Sequence, residues 1–135
     1  MAHTTPRVRL VAWGGERQAE VQSSDPLEPL IRLDTPAWAS WLSAPTTRRF
    51  AYPIYDERVG YIRGWMTVRK ERRNRGSEYW VAYRRVGKRL CKIYLGRSGQ
   101  VTQSQLGSAA GRFLAMADAQ GPAVGDELGS VAGRR

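Results

Sequence analysis

The residues best suited to chemistry in this sequence are cations. Between Arg63 and Arg97 the chain carries twelve basic residues against two acids, Glu71 and Glu78. The remainder is charge-balanced, so the formal net charge of +10 arises in this one stretch. Arginine outnumbers lysine there, and Trp65, Tyr79, Trp80, Tyr83 and Tyr94 interleave with the charges. Arginine presents a planar fork of donors that matches phosphate oxygens and guanine edges, and it stacks on flat rings. Localised charge of one sign also attracts a polyanion and speeds its encounter. A merely solubilising surface would use the same charges; the interleaved aromatics favour a nucleic acid.

Catalytic chemistry finds little to work with. His3 is the sole histidine and lies next to the start, so neither a Ser-His nor a Cys-His pair is expected. Cys91 is the sole cysteine and alternates with Ile93 and Leu95, which reads as a structural thiol on a buried face. There is no Cys/His cluster to ligate a metal. The glycines around Ser98 lack the lysine and the spacing of a phosphate-binding loop. Asp56 and Glu57 are adjacent carboxylates that read as a hairpin tip. The expectation is a non-enzymatic protein with no cofactor and no metal.

At 135 residues the chain is one domain's worth. With 41% hydrophobic and 25% charged residues it is too apolar to be wholly disordered. No apolar run approaches the roughly 20 residues that span a bilayer. Met1 to Ala12 has arginines but no apolar stretch with a cleavage site. A lone cysteine forms no internal disulfide, which suits a reducing compartment. A cytoplasmic location with no membrane partner is expected.

Three parts follow along the chain. Residues 1–47 are balanced in charge and broken by prolines, with a short strand over Arg7–Trp13 and a loop from Gly14 to Pro29. Thr35-Pro36 starts a helix running to about Ala44, since proline at the first helical position loses no hydrogen bond. Its stripe of Trp38, Trp41 and Leu42 reads as core.

Residues 48–120 form the basic unit. Arg49–Tyr55 and Tyr61–Arg72 read as extended, with bends at Gly60 and Gly64. Tyr79–Val86 is a strand rich in residues that fit a pleated surface. Gly87-Lys88 is a tight turn. Arg89–Leu95 alternates, with Cys91, Ile93 and Leu95 on one face and Leu90, Lys92 and Tyr94 on the other. Arg73 to Glu78, with Asn74, Arg75 and Gly76, reads as a basic hairpin loop. Thr102 and Gln105 then form a capping box, and Val101 and Leu106 a hydrophobic staple across it. Leu106, Ala110, Phe113, Leu114 and Ala117 mark an apolar stripe at helical spacing, with Gly107 and Gly111 allowing close approach to a sheet. Residues 121–135 are expected to be a flexible tail.

The fold class expected is α+β: a three- to four-stranded antiparallel sheet with the C-terminal helix packed on one face, plus a short N-terminal strand and helix. Val68, Ile93 and Leu95 would lie beneath the helix. The other face and the hairpin tips would then display the cations. Arg69, Arg84 and Lys92 are candidates near the middle, with Lys70, Trp80 and Tyr94 beside them. Arg72, Arg73 and Arg75 would sit at one tip, Lys88 and Arg89 at the other, and Arg97 past the last strand. Both faces of Tyr79–Arg85 are partly apolar, so either Arg84 or Arg85 could be the groove residue.

The strand Tyr79-Trp80-Val81-Ala82-Tyr83-Arg84-Arg85, its Gly-Lys turn and the lysine-bearing third strand leading into a capped helix resemble a known domain. This is the arm-type (AP2-like) DNA-binding domain at the N-terminus of tyrosine recombinases. Val68-Arg69-Lys70-Glu71-Arg72-Arg73 and Tyr94-Leu95-Gly96-Arg97-Ser98 are also similar to a domain of uncharacterised bacterial proteins, sometimes fused to recombinase or transcription-regulator modules. The resemblance implies a three-stranded sheet in the major groove with the helix behind it. It further implies a free-standing regulator or mobile-element accessory factor bound to duplex DNA. Where that family starts its helix with threonine-lysine, this chain has Val101-Thr102-Gln103. The alternatives are an RNA-binding module stacking unpaired bases on its aromatics, or a basic subunit docking an acidic protein, with Trp38 and Trp41 as anchors.

Overall fold

The computed structural model describes residues 5–13, 16–22, 27, 29–73 and 76–120. Several sequence readings lie outside them: His3, Asn74, Arg75 and the tail over residues 121–135.

Four consecutive antiparallel strands form the main sheet: β4 (Arg49–Asp56), β5 (Tyr61–Arg73), β6 (Ser77–Val86) and β7 (Arg89–Gly96), in that spatial order. Sequential hairpins are the simplest way to lay such strands side by side. Gly87, with φ of +64°, opens the tight turn between β6 and β7, a conformation glycine adopts without steric cost.

Helix α2 (Gln103–Ala119) covers one face of this sheet. Its Leu106, Ala109, Ala110 and Phe113 are buried in one core cluster with Val68, Ile93 and Leu95, and the helix packs chiefly on β4. Thr102 caps it by accepting from the Gln105 amide at 3.1 Å. The other half of the anticipated capping box, Gln105 accepting from the Thr102 amide, is not made; the neighbouring Gln103 amide donates to Asp34 at 2.9 Å. Gly107 and Gly111 also depart from expectation. A Cβ at either would meet nothing within 4 Å, so neither serves close packing.

The N-terminal part folds as a second, three-stranded antiparallel sheet: β1 (Val8–Trp13), β2 (Glu16–Val21) and the two-residue β3 (Ile31–Arg32). Strand β2 corrects the reading of Gly14 to Pro29 as loop. Only Ala19 and Val21 of it turn inward, and its polar remainder hides a strand that pairing with β1 fixes. Helix α1 (Pro36–Ser43) follows, with Thr35 accepting from the Trp38 amide at 3.3 Å. The Ala51 amide donates to the Pro6 carbonyl at 2.8 Å, so the start of β1 lies along the outer edge of β4. One continuous core draws Val8, Ala19, Val21, Trp38 and Leu42 together with Phe50, Trp80, Leu106 and Phe113.

Candidate nucleic-acid interface

Side chains directly opposite on neighbouring strands share a face, and successive residues alternate. The pairs Val68↔Ala82 and Ala82↔Ile93 define the helix side. The pairs Arg49↔Arg69, Arg69↔Val81 and Val81↔Tyr94, with Tyr83↔Lys92 and Arg85↔Leu90, define the face α2 leaves uncovered.

That register brings Arg69, Arg73, Arg85, Lys92 and Tyr94 together and settles the phase of β6. Arg85 belongs to the uncovered face. Arg84 lies on the helix side, half-buried, where its guanidinium donates to the Trp65 carbonyl at 2.8 Å. Glu71 is the only acid whose register places it on the uncovered face of β5–β7, and the Tyr83 hydroxyl donates to its carboxylate. That bond raises the Tyr83 phenol above its ordinary value, so it stays protonated. Arg49, Arg69 and Lys92 make no ion pair within the described residues.

Aromatic rings pave the same face. Tyr79 and Tyr94 pack with ring centres 5.4 Å apart, and Tyr94 is 62% exposed. Arg73 lies over Tyr79 at 5.1 Å and Arg69 over Tyr83 at 5.6 Å. Val81, flanked by these rings, is buried despite facing outward.

Beyond Lys70 and Trp80 the β5–β6 pair continues without a third strand among the described residues, through Glu71↔Tyr79, Arg72↔Glu78 and Arg73↔Ser77. It is a two-stranded ribbon projecting from the sheet.

Other expected site residues lie elsewhere. Trp80 is wholly buried on the helix side, its indole donating to Ser98 Oγ at 3.0 Å, so it offers no ring to a ligand. Lys70 is 6% exposed; its ammonium donates to the Ala44 carbonyl at 3.0 Å, and burial pulls its pKa below the ordinary lysine value. Arg72 is exposed at the ribbon's end, on the helix side, 3.6 Å from Glu78. Glu78 also takes Arg48 at 2.9 Å. Lys88 and Arg89 are exposed at the β6–β7 turn, Arg89 on the helix side through its pairing with Val86. Arg97, past β7, donates to Ser77 Oγ at 3.4 Å. Arg63, one of the twelve basic residues, is bound to Asp56 at 3.0 Å and to Asp118 at 3.5 Å.

Of the two tryptophans considered as anchors, Trp38 is buried away from any partner. Trp38 is 3% exposed and donates to the Val101 carbonyl at 2.8 Å, while Trp41 stacks on it at 5.5 Å. Trp38 belongs to the core, and Trp41 is half-buried against it.

Arg49 is the face residue absent from the sequence reading. Phe50, Tyr52 and Ile54 alternate inward, which by itself turns Arg49 outward.

Comparisons with family models, curated proteins and solved structures find no match, and nothing in them identifies an arm-type domain.

Proposed function

We propose that this chain is a non-enzymatic DNA-binding protein, a regulator or mobile-element accessory factor, that lays its uncovered sheet face on duplex DNA. One observation carries the reading. Arg49, Arg69, Arg73, Arg85 and Lys92 share one face, and Glu71, the acid that register places on its β5–β7 part, is held by a tyrosine. The projecting β5–β6 ribbon supports it further, since the major groove is about 12 Å wide and admits two strands. Arg73 at the ribbon's end would enter the groove, and the remaining cations would meet flanking phosphates. If each of these four neutralises one phosphate, the logarithm of affinity falls against the logarithm of salt with a slope of about −3 to −4. Titration of random and enriched duplexes across a salt series tests this. A slope near zero would contradict it.

A second reading rests on Tyr94, whose exposed ring, packed against Tyr79, could stack unpaired RNA bases. Competition between duplex DNA and single-stranded RNA at fixed salt separates the two, and preference for the single strand would favour the second.

A further inference from the structure

Where β2, β4 and the first turns of α2 meet, an open cleft of about 640 Å³ remains, within the roughly 300–1,000 Å³ typical of small-molecule sites. Two groups there keep hydrogen-bonding capacity that no described residue takes up. Tyr52 on β4 is 3% exposed and lines the cleft, yet its hydroxyl bonds to none of the described residues. Buried hydroxyls are nearly always satisfied. Asp34, exposed and also lining the cleft, uses one carboxylate oxygen for the Gln103 amide, and no described donor takes the other.

We propose that this cleft binds a small neutral polyol, a sugar ring either free or as the ribose of a nucleoside. A group between Tyr52 and Asp34 must accept the phenol proton and donate to the carboxylate. A hydroxyl does both. An ammonium donates only, leaving the phenol proton unmet, and it would also face Arg17 and a chain of net charge +10. A ligand carboxylate would meet Asp34 and Glu57. Burial and the neighbouring Asp34 push the Tyr52 pKa up to about 12, so it remains a donor at neutral pH.

The walls are fixed in advance. The Gln103 side chain accepts from the Ala19 amide at 3.1 Å and donates to the Arg17 carbonyl at 2.9 Å, fastening α2 to β2. Arg17 lies 3.9 Å over the Tyr55 ring and donates to its hydroxyl at 2.5 Å. Ser104 adds another hydroxyl at the rim.

The test is amide-resolved NMR titration of the full chain with D-glucose, D-ribose and adenosine, with spermidine as the cationic comparison. The expected result is saturable shifts at Asp34 and Gln103 with a sugar or with adenosine. Adenosine binding more tightly than ribose would point to the nucleoside as source. Tyr52→Phe should keep the folded spectrum and weaken binding about tenfold, the worth of one hydrogen bond. Gly107→Leu, placed where a Cβ meets open space beside the cleft, should block binding in a folded protein. No shift with any sugar or with adenosine, shifts with spermidine instead, or sugar shifts indifferent to both variants would each overturn the proposal.

Discussion

The Lys70 ammonium sits 5.3 Å from the centre of the Trp80 ring, its direct cross-strand partner, inside the protein. A cation from the basic run and an aromatic from the adjoining strand are thus joined in the core, and the Ala44 carbonyl completes the arrangement by tying β5 to the end of α1. Trp80→Ala should accordingly destabilise the fold by about 3–5 kcal/mol, the usual cost of emptying a large aromatic site. Urea unfolding measures it. Lys70→Met should leave the salt dependence of nucleic-acid binding unchanged; a shallower slope would put Lys70 on the binding face.

Asp56 anchors the β4–β5 hairpin to the end of α2. Arg58 and Arg63 both contact its carboxylate at 3.0 Å and also reach Asp118. The hydrogen bonds from Arg58 and then Arg63 hold its pKa far below the usual carboxylate range. A carboxylate lowered on folding contributes stability that is complete above its unfolded pKa, roughly 4. That contribution fades as the pH falls through this value toward the folded one. Asp56→Asn should therefore be less stable than the parent at neutral pH, with the gap closing on acidification. A gap constant with pH would contradict the linkage.

Two glycines should respond in opposite directions to alanine. Gly107→Ala in α2 meets open space and should stabilise by about 0.5–1 kcal/mol through helix propensity. At Gly64 a Cβ would lie 2.5 Å from the Arg84 guanidinium, which must then leave the Trp65 carbonyl. Gly64→Ala should cost about 1 kcal/mol, and much less in an Arg84→Ala background. Additive losses in the double-mutant cycle would break this link.

Tyr52→Phe removes a buried hydroxyl that has no partner among the described residues. Its stability should equal the parent's or exceed it by up to about 1 kcal/mol. A loss of that size would mean the hydroxyl is bonded within the protein.

Much of this architecture is readable from residue types because local signals agree with tertiary demands. Alternation in Arg89–Leu95, positive φ at Gly87 and the Thr102 cap each specify their element independently. Strand β2 carries no such signal: only two small apolar residues turn inward, and β1 supplies the rest of its order. The site was harder to read for a related reason. Trp80, Val81 and Ala82 are all buried, so burial preference alone could not say which of Arg84 and Arg85 faces out. Cross-strand register decides it, and register is a property of the pair of strands. Lys70 defeats a charge count because its ammonium finds a carbonyl and a ring inside. Arg49 escapes the same count because it lies ahead of the basic stretch in sequence and joins it only through β4–β5 pairing.

The most direct test compares duplex-DNA binding, across a salt series, by an uncovered-face variant and a helix-side variant. Arg69→Ala with Lys92→Ala should reduce affinity and flatten the salt slope by about 2, close to one per lost phosphate contact. Arg84→Ala with Arg89→Ala, which removes equal charge from the opposite side, should leave the slope nearly as in the parent. Equal losses from both pairs, or none from the first, would contradict a binding surface on the uncovered face.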